Sequence, residues 1–113
     1  MERQGIISRI FSPWASALVV VPKPGPGDDL RLCIDLRDVN EKCETVNYPL
    51  PDIDDIVSSL GGSKYYCKLD LAKGFWQIPV EQTSKKVLTI ITHRGTFCFN
   101  RMPFGHKNSP AYF

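Results

Sequence analysis

The 113-residue sequence predicts an α+β fold, mostly antiparallel strands with a few short helices, and three observations point there. Short β-branched and aromatic runs recur between turn signals, as in Ala17-Leu18-Val19-Val20-Val21. One segment, and only one, carries apolar residues at sustained helical spacing. Nine prolines and eight glycines supply the turns that many short strands require.

In chain order, 17–22 reads as a strand ended by Pro22. The Lys23-Pro24-Gly25-Pro26-Gly27-Asp28-Asp29 stretch reads as a turn or exposed loop. Leu30 to Leu36 alternates, with Leu32, Ile34 and Leu36 on one face and Arg31, Cys33 and Asp35 on the other. The two strands form a hairpin. Arg37 to Asn47 is a short helical turn plus loop, and Tyr48-Pro49-Leu50-Pro51 an extended lead-in. Asp52 to Leu60 reads as a helix, with Ile53, Ile56, Val57 and Leu60 in phase and Gly61-Gly62 as the stop. Tyr65 to Leu71 reads as a strand with Asp70 near its end, and Leu71-Ala72-Lys73-Gly74 as a turn. Trp76, Ile78 and Val80 then share a face. Val87 to Thr92 and Thr96 to Asn100 are strands around a three-residue loop, His93-Arg94-Gly95. Ser109 and Pro110 read as the N-cap and first residue of a helix. That helix has only Ala111, Tyr112 and Phe113 to follow, so the chain reads as a piece of a larger domain.

Hydrophobic residues at 42% and charged residues at 23% exclude a disordered chain. The longest apolar run is far too short for a membrane span, and no signal-like stretch follows the first residues. The chain therefore reads as intracellular, with no membrane partner. Cys33, Cys43, Cys67 and Cys98 form no Cys-x-x-Cys pair, and His93 and His106 complete no zinc pattern. Reduced thiols in or near a core are expected. A net charge of +2 permits nucleic-acid contact but argues against strong autonomous binding.

Asp70 is the leading candidate for chemistry. A carboxylate at a strand end before a tight turn projects at a sheet rim, where metal and phosphate chemistry is mounted; an ordinary turn-forming aspartate is the alternative. With an adjacent backbone carbonyl it offers two oxygen ligands to Mg²⁺. Phe75, beyond Gly74, either packs in the core or floors a nucleotide pocket. Arg31 either lies on a solvated strand face or clamps a triphosphate. Asp52, Asp54 and Asp55 crowd a helix N-terminus, where the dipole explains them without a metal.

Four separated strings then join these readings. They are Ile34-Asp35-Leu36-Arg37-Asp38-Val39-Asn40, Tyr48-Pro49-Leu50-Pro51, Lys68 to Ile78 (Lys-Leu-Asp-Leu-Ala-Lys-Gly-Phe-Trp-Gln-Ile), and Asn100 to Pro110 (Asn-Arg-Met-Pro-Phe-Gly-His-Lys-Asn-Ser-Pro). In this order, with Ser12-Pro13-Trp14-Ala15-Ser16 before them, they resemble the reverse transcriptase of gypsy-type LTR retrotransposons from about Ile6 to Phe113. The resemblance implies a fingers hairpin region over about 6–47. It implies the start of a palm with a fingers insertion over about 48–113.

The resemblance also implies roles. Asp70 looks like the first of three catalytic carboxylates, ligating Mg²⁺ (Mn²⁺ as an alternative) together with the Leu71 carbonyl. Phe75 looks like the steric gate that rejects a 2′-hydroxyl. Arg31 resembles the fingers arginine on the incoming triphosphate, and Lys23 the loop lysine on its γ-phosphate. Phe104 lies where the family lines the nucleotide pocket. Arg37, Asn40, Gly105 and Pro110 resemble template-contacting positions. The implied reaction is attack of a primer 3′-oxygen on the α-phosphorus of a dNTP with two metal ions, on an RNA or DNA template. The implied setting is a Pol polyprotein in a cytoplasmic particle or the nucleus. His106 departs from the apolar residue expected after Pro-Phe-Gly. Lys73-Gly74-Phe75-Trp76 is a variant of the more usual Ser-Gly-Tyr-His. The family's Tyr-x-Asp-Asp hairpin is not among these residues, so the chain alone is expected to be inactive. A retained non-catalytic nucleic-acid-binding or interaction module is the alternative function, and a decayed gene fragment a third.

Overall fold

The computed structural model describes residues 1–22, 24–25 and 30–113. Lys23 lies outside the described residues. Arg31 is described only through its backbone.

Five strands make one mixed sheet: β1 (Ile7–Arg9), β2 (Ser16–Pro22), β3 (Leu30–Ile34), β4 (Thr89–Thr92) and β5 (Gly95–Phe99), in the order β1-β5-β4-β2-β3. The expected hairpin is present, with Val21 opposite Arg31 and Pro22 opposite Leu30. β2 then runs parallel to β4, Ser16 facing Ile90, so the first hairpin and the second share a sheet. β1 closes the far edge on β5, Ile7 facing Phe99.

Alternation decides what the sheet buries. Ile90, Phe97 and Phe99 form the core with Leu36 and Leu88, and Ile7, Leu18, Ile34, Val39 and Val80 pack against it. Phe99 is 2% exposed. Cys98, on the opposite face of β5, is equally buried, so β5 is covered on both sides. Thr89 is fully buried because its hydroxyl donates within the preceding turn, to the Lys85 and Lys86 carbonyls at 3.1 and 2.9 Å. Outward from Phe97 and Phe99 the apolar face opens into a cavity of about 1000 Å³.

Three short α-helices accompany the sheet, α1 (Arg37–Lys42), α2 (Ile53–Ser59) and α3 (Ser109–Tyr112), with 3₁₀ turns at Glu2–Gln4, Gly74–Gln77 and Ser84–Lys86. α2 starts as its sequence dictates, with the Asp52 carboxylate accepting from the Asp54 backbone N–H at 3.4 Å. The acids at its N-terminus serve the cap and the dipole. Its apolar face is not buried: Ile53 is 74% and Val57 61% exposed. Every residue from 44 to 73 is exposed.

Five sequence expectations need correction. Tyr65 to Leu71 forms no strand; it makes no ladder with any segment of the described residues. Trp76 to Val80 is a 3₁₀ turn over Gly74–Gln77 followed by one bridge, Pro79 to Arg101, rather than a strand. The second hairpin turns through two residues, His93 and Arg94, with Gly95 already paired to Thr92. The Thr92 hydroxyl tightens that loop by accepting from the Arg94 N–H at 3.1 Å. The N-cap of α3 is Asn108, one residue earlier than expected, and Ser109 is buried inside the first turn. All four thiols are free, and Cys67 is exposed rather than near a core.

Candidate functional site: a carboxylate beside an aromatic wall

The site is assembled by the chain reversal after Asp70. Lys73 adopts a left-handed conformation, φ 51°, unusual for a residue with a side chain. Its ammonium lies over the Trp76 ring, 4.4 Å from the centroid. The 3₁₀ turn that follows is closed by the Trp76 N–H on the Lys73 carbonyl at 2.8 Å. Gly74 leaves room for the Phe113 ring, which a Cβ would approach to 2.6 Å and displace. The turn is fastened to the 100–102 segment. Val80 donates to the Asn100 carbonyl and Met102 to the Ile78 carbonyl, both at 2.9 Å.

That fastening brings Phe104 onto Phe75, with ring centroids 5.2 Å apart and tilted by 51°. Phe113 meets the other edge of Phe75 in a T-shaped pair at 5.6 Å. Trp76 backs Phe104 at 6.1 Å. The rings bound a cleft of about 360 Å³ whose remaining lining is Leu69, Asp70, Leu71 and Gly74. Four sequence-predicted residues therefore meet at one place: Asp70, Leu71, Phe75 and Phe104. Asp70 is exposed. Among the described residues no three His, Cys, Asp or Glu side chains converge as a metal cluster would require.

The remaining candidates lie elsewhere. The Arg31 backbone is in β3, the edge strand. Arg37 opens α1 and is exposed; its guanidinium grips Asp35 with Nε to Oδ1 at 2.9 Å and Nη2 to Oδ2 at 2.6 Å. That fork, and the Arg37 backbone N–H on the same carboxylate, hold the Asp35 pKa down at about 2. Asn40 and Gly105 touch, as Asn40 Nδ2 donates to the Gly105 carbonyl at 2.8 Å. Pro110 lies in the first turn of α3.

Two residues outside the candidate set, Asn108 and His106, also take part. Asn108, 6% exposed, spends its amide on the segment after α1: Nδ2 donates to the Glu44 carbonyl at 2.8 Å and Oδ1 accepts from the Val46 N–H at 3.1 Å. This explains why it caps α3 without a side-chain bond. His106 accepts from the Asn108 N–H through Nδ1 at 3.3 Å and meets Cys43 Sγ through Nε2 at 3.7 Å. Burial first, and the Lys107 charge second, push the His106 pKa down, so the ring is neutral at pH 7. An imidazole accepting at Nδ1 carries its proton on Nε2. A histidine thus fills the place where an apolar residue was expected.

Residues 21–113 match the family model described as reverse transcriptase (RNA-dependent DNA polymerase). The Pol polyprotein from transposon 412 of Drosophila melanogaster is 40% identical over 112 residues, 96% of this chain and 9% of that protein. The Pol polyprotein from transposon gypsy of the same species is 35% identical over 98% of this chain and 11% of that protein. The chain thus spans about a tenth of these relatives' length. Prototype foamy virus protease–reverse transcriptase superposes with a TM-score of 0.83 at 29% identity, covering 99% of this chain and 15% of that one. A foamy viral protease–reverse transcriptase in complex with an RNA/DNA hybrid superposes at 0.75 and 26% identity, covering 98% and 15%. The α+β architecture is that of the fingers and palm of these enzymes, and the chain belongs to the reverse transcriptase family.

Proposed function

We propose that this chain supplies the fingers and the nucleotide-facing start of the palm of an RNA-directed DNA polymerase, with residues of about 6–47 in the fingers and about 48–113 leading into the palm. One observation carries the reading. An exposed carboxylate, Asp70, and the aromatic wall of Phe75 and Phe104 share a single cleft. A deoxynucleotide needs a hard anionic metal ligand near its phosphates and an apolar surface against its sugar, and the cleft has both.

Phe75 is the group that meets the sugar. Rings on two sides pack against it and oppose its swinging aside to admit a 2′-hydroxyl. Leu71 and its neighbours offer backbone to the triphosphate, and Arg31 and Lys23 are assigned to its phosphates on the chemistry of their cationic side chains. Arg37, Gly105 and Pro110 belong to the template side. Primer, RNA or DNA template, dNTPs and the rest of a Pol polyprotein are the partners that follow.

Reverse transcriptases use divalent metal ions. The Asp70 carboxylate and the Leu71 carbonyl are oxygen donors of the kind Mg²⁺ or Mn²⁺ takes. When bound, such an ion stabilises charge on the phosphates. One carboxylate accounts for only part of a two-ion site, and among the described residues the cleft lining contributes no other.

The test is Asp70→Asn in a longer polymerase containing these residues. Incorporation of dNTPs on a primed RNA template should fall to background while primer–template binding is retained. Incorporation at the unsubstituted rate would overturn the reading. The 113-residue chain by itself should incorporate nothing, and template-dependent synthesis by it that is lost in Asp70→Asn would show that the carboxylate set is complete without further chain.

A further inference from the structure

We propose that Asn40 is a positioning residue, whose side-chain amide brackets the 105–107 backbone and thereby fixes Phe104 against Phe75 in the nucleotide-facing cleft. The inference rests on the reading of that cleft as a deoxynucleotide site.

The amide is used at both ends. Nδ2 donates to the Gly105 carbonyl at 2.8 Å, and Oδ1 accepts from the Lys107 N–H at 2.9 Å. The two partners are spaced i and i+2, the spacing that one strand offers another, so a single side chain stands in for a strand partner. Gly105, between Phe104 and the clamp, has φ 93°, a conformation a side chain would strain. The loop therefore has a defined path rather than a choice of paths, and the Phe104 ring leaves it at a fixed point.

A second amide does the reciprocal job. Asn108, at the other end of the same loop, holds the Glu44 carbonyl and the Val46 N–H, again spaced i and i+2. The Lys107 ammonium adds a bond to the Cys43 carbonyl. Loop 104–108 and the segment of α1 and its exit are thus cross-tied in both directions. None of these ties is a core contact. Phe104 is half-exposed; buried Pro103, whose carbonyl accepts from Ser109 Oγ at 3.3 Å, anchors the chain before it, and the ties hold the chain after it. Asn40 is the tie nearest to the ring.

This assignment differs in outcome from direct template contact. A positioning residue alters how the cleft receives the nucleotide; a template contact alters how tightly nucleic acid binds. In a longer polymerase containing these residues, Asn40→Ala should raise the dNTP KM about tenfold, the loss expected for two modest hydrogen bonds. The dissociation constant for primer–template should stay within about twofold. Asn40→Asp keeps the size and the acceptor but sets a carboxylate against the Gly105 carbonyl, so it should raise KM at least as much. It carries the test where Asn40→Ala does not fold.

A double-mutant cycle with Phe104→Ala separates the inference from its foundation. If Asn40 acts through Phe104, Asn40→Ala adds little once the ring is gone. Full additivity, or weakened primer–template binding at unchanged KM, overturns the positioning role. If Phe104→Ala alone leaves the dNTP KM at its original value, the reading of the cleft fails and the inference falls with it.

Discussion

Phe75→Ala, in a polymerase that carries these residues, should lower both the stability of the cleft and its preference for deoxynucleotides. The stability effect follows from the ring pairs. Phe75 meets Phe104 at 5.2 Å and 51° and Phe113 at 5.6 Å and 87°, both favourable aromatic geometries. Such pairs contribute about 0.5–1.5 kcal/mol each, so about 1–3 kcal/mol is lost with the ring. The selectivity effect follows from packing. A hydroxyl forced into volume that a restrained ring already fills costs on the order of 1–3 kcal/mol. Removing the ring should therefore change the ratio of dNTP to rNTP incorporation by roughly 5–150-fold. Phe75→Val should also admit ribonucleotides, since it removes the flat edge of the ring. The assay is single-nucleotide incorporation, comparing kcat/KM for a matched dNTP and rNTP. A variant that still incorporates dNTPs with an unchanged ratio would remove Phe75 from the gate.

Arg31→Ala in the same polymerase should raise the dNTP KM or lower kcat, because lost charge-assisted phosphate contacts are worth roughly 1.5–3 kcal/mol each; unchanged kinetics would exclude it from the triphosphate. In the 113-residue chain, an NMR titration should find Asp35 with a pKa of about 2, moving toward 3.8 in Arg37→Ala. The sign is that of a depressed carboxylate: the pair's contribution is complete above 3.8 and is lost as pH falls through about 2. His106 acts in the same direction nearer neutrality, its folded pKa being below 6.5, so acidification below 6.5 should loosen loop 104–108. Phe99→Ala should cost about 3–5 kcal/mol and abolish any cooperative melt, whereas Val57→Ala, 61% exposed, should be nearly silent; denaturant titration checks both. With residues 44–73 exposed throughout, the 113-residue chain should associate at micromolar concentrations; a sharply melting monomer would contradict the expectation.

The sequence made some of this legible and not the rest, for physical reasons. The hairpin of β2 and β3 was readable because β-branched alternation and a Pro/Gly loop are local signals. So was α2, whose Asp52 cap and Gly61-Gly62 stop lie within the element itself. Tyr65 to Leu71 has the same local look as a strand but lacks a partner, and pairing is what makes a strand. The N-cap of α3 shifted because the Asn108 side chain is occupied 64 and 62 residues away, at Glu44 and Val46. The resemblance singled out Asp70, Leu71, Phe75 and Phe104 one by one. That they line one cleft depends on the bridge from Pro79 to Arg101, a contact no sequence window contains. Phe113 as a further wall was illegible for the same reason, and so was the work of Asn40 within the fold.

The account rests on the cleft being the seat of the incoming nucleotide. The most direct measurement is a crystal structure of a longer polymerase containing these residues, with primer, template, Mg²⁺ and an incoming dNTP trapped by a chain-terminated primer. The account predicts the deoxyribose in van der Waals contact with the Phe75 ring, Phe104 on the same wall, and a metal ion on the Asp70 carboxylate. A nucleotide bound in register with the template but away from Phe75, with Asp70 facing solvent alone, would contradict it.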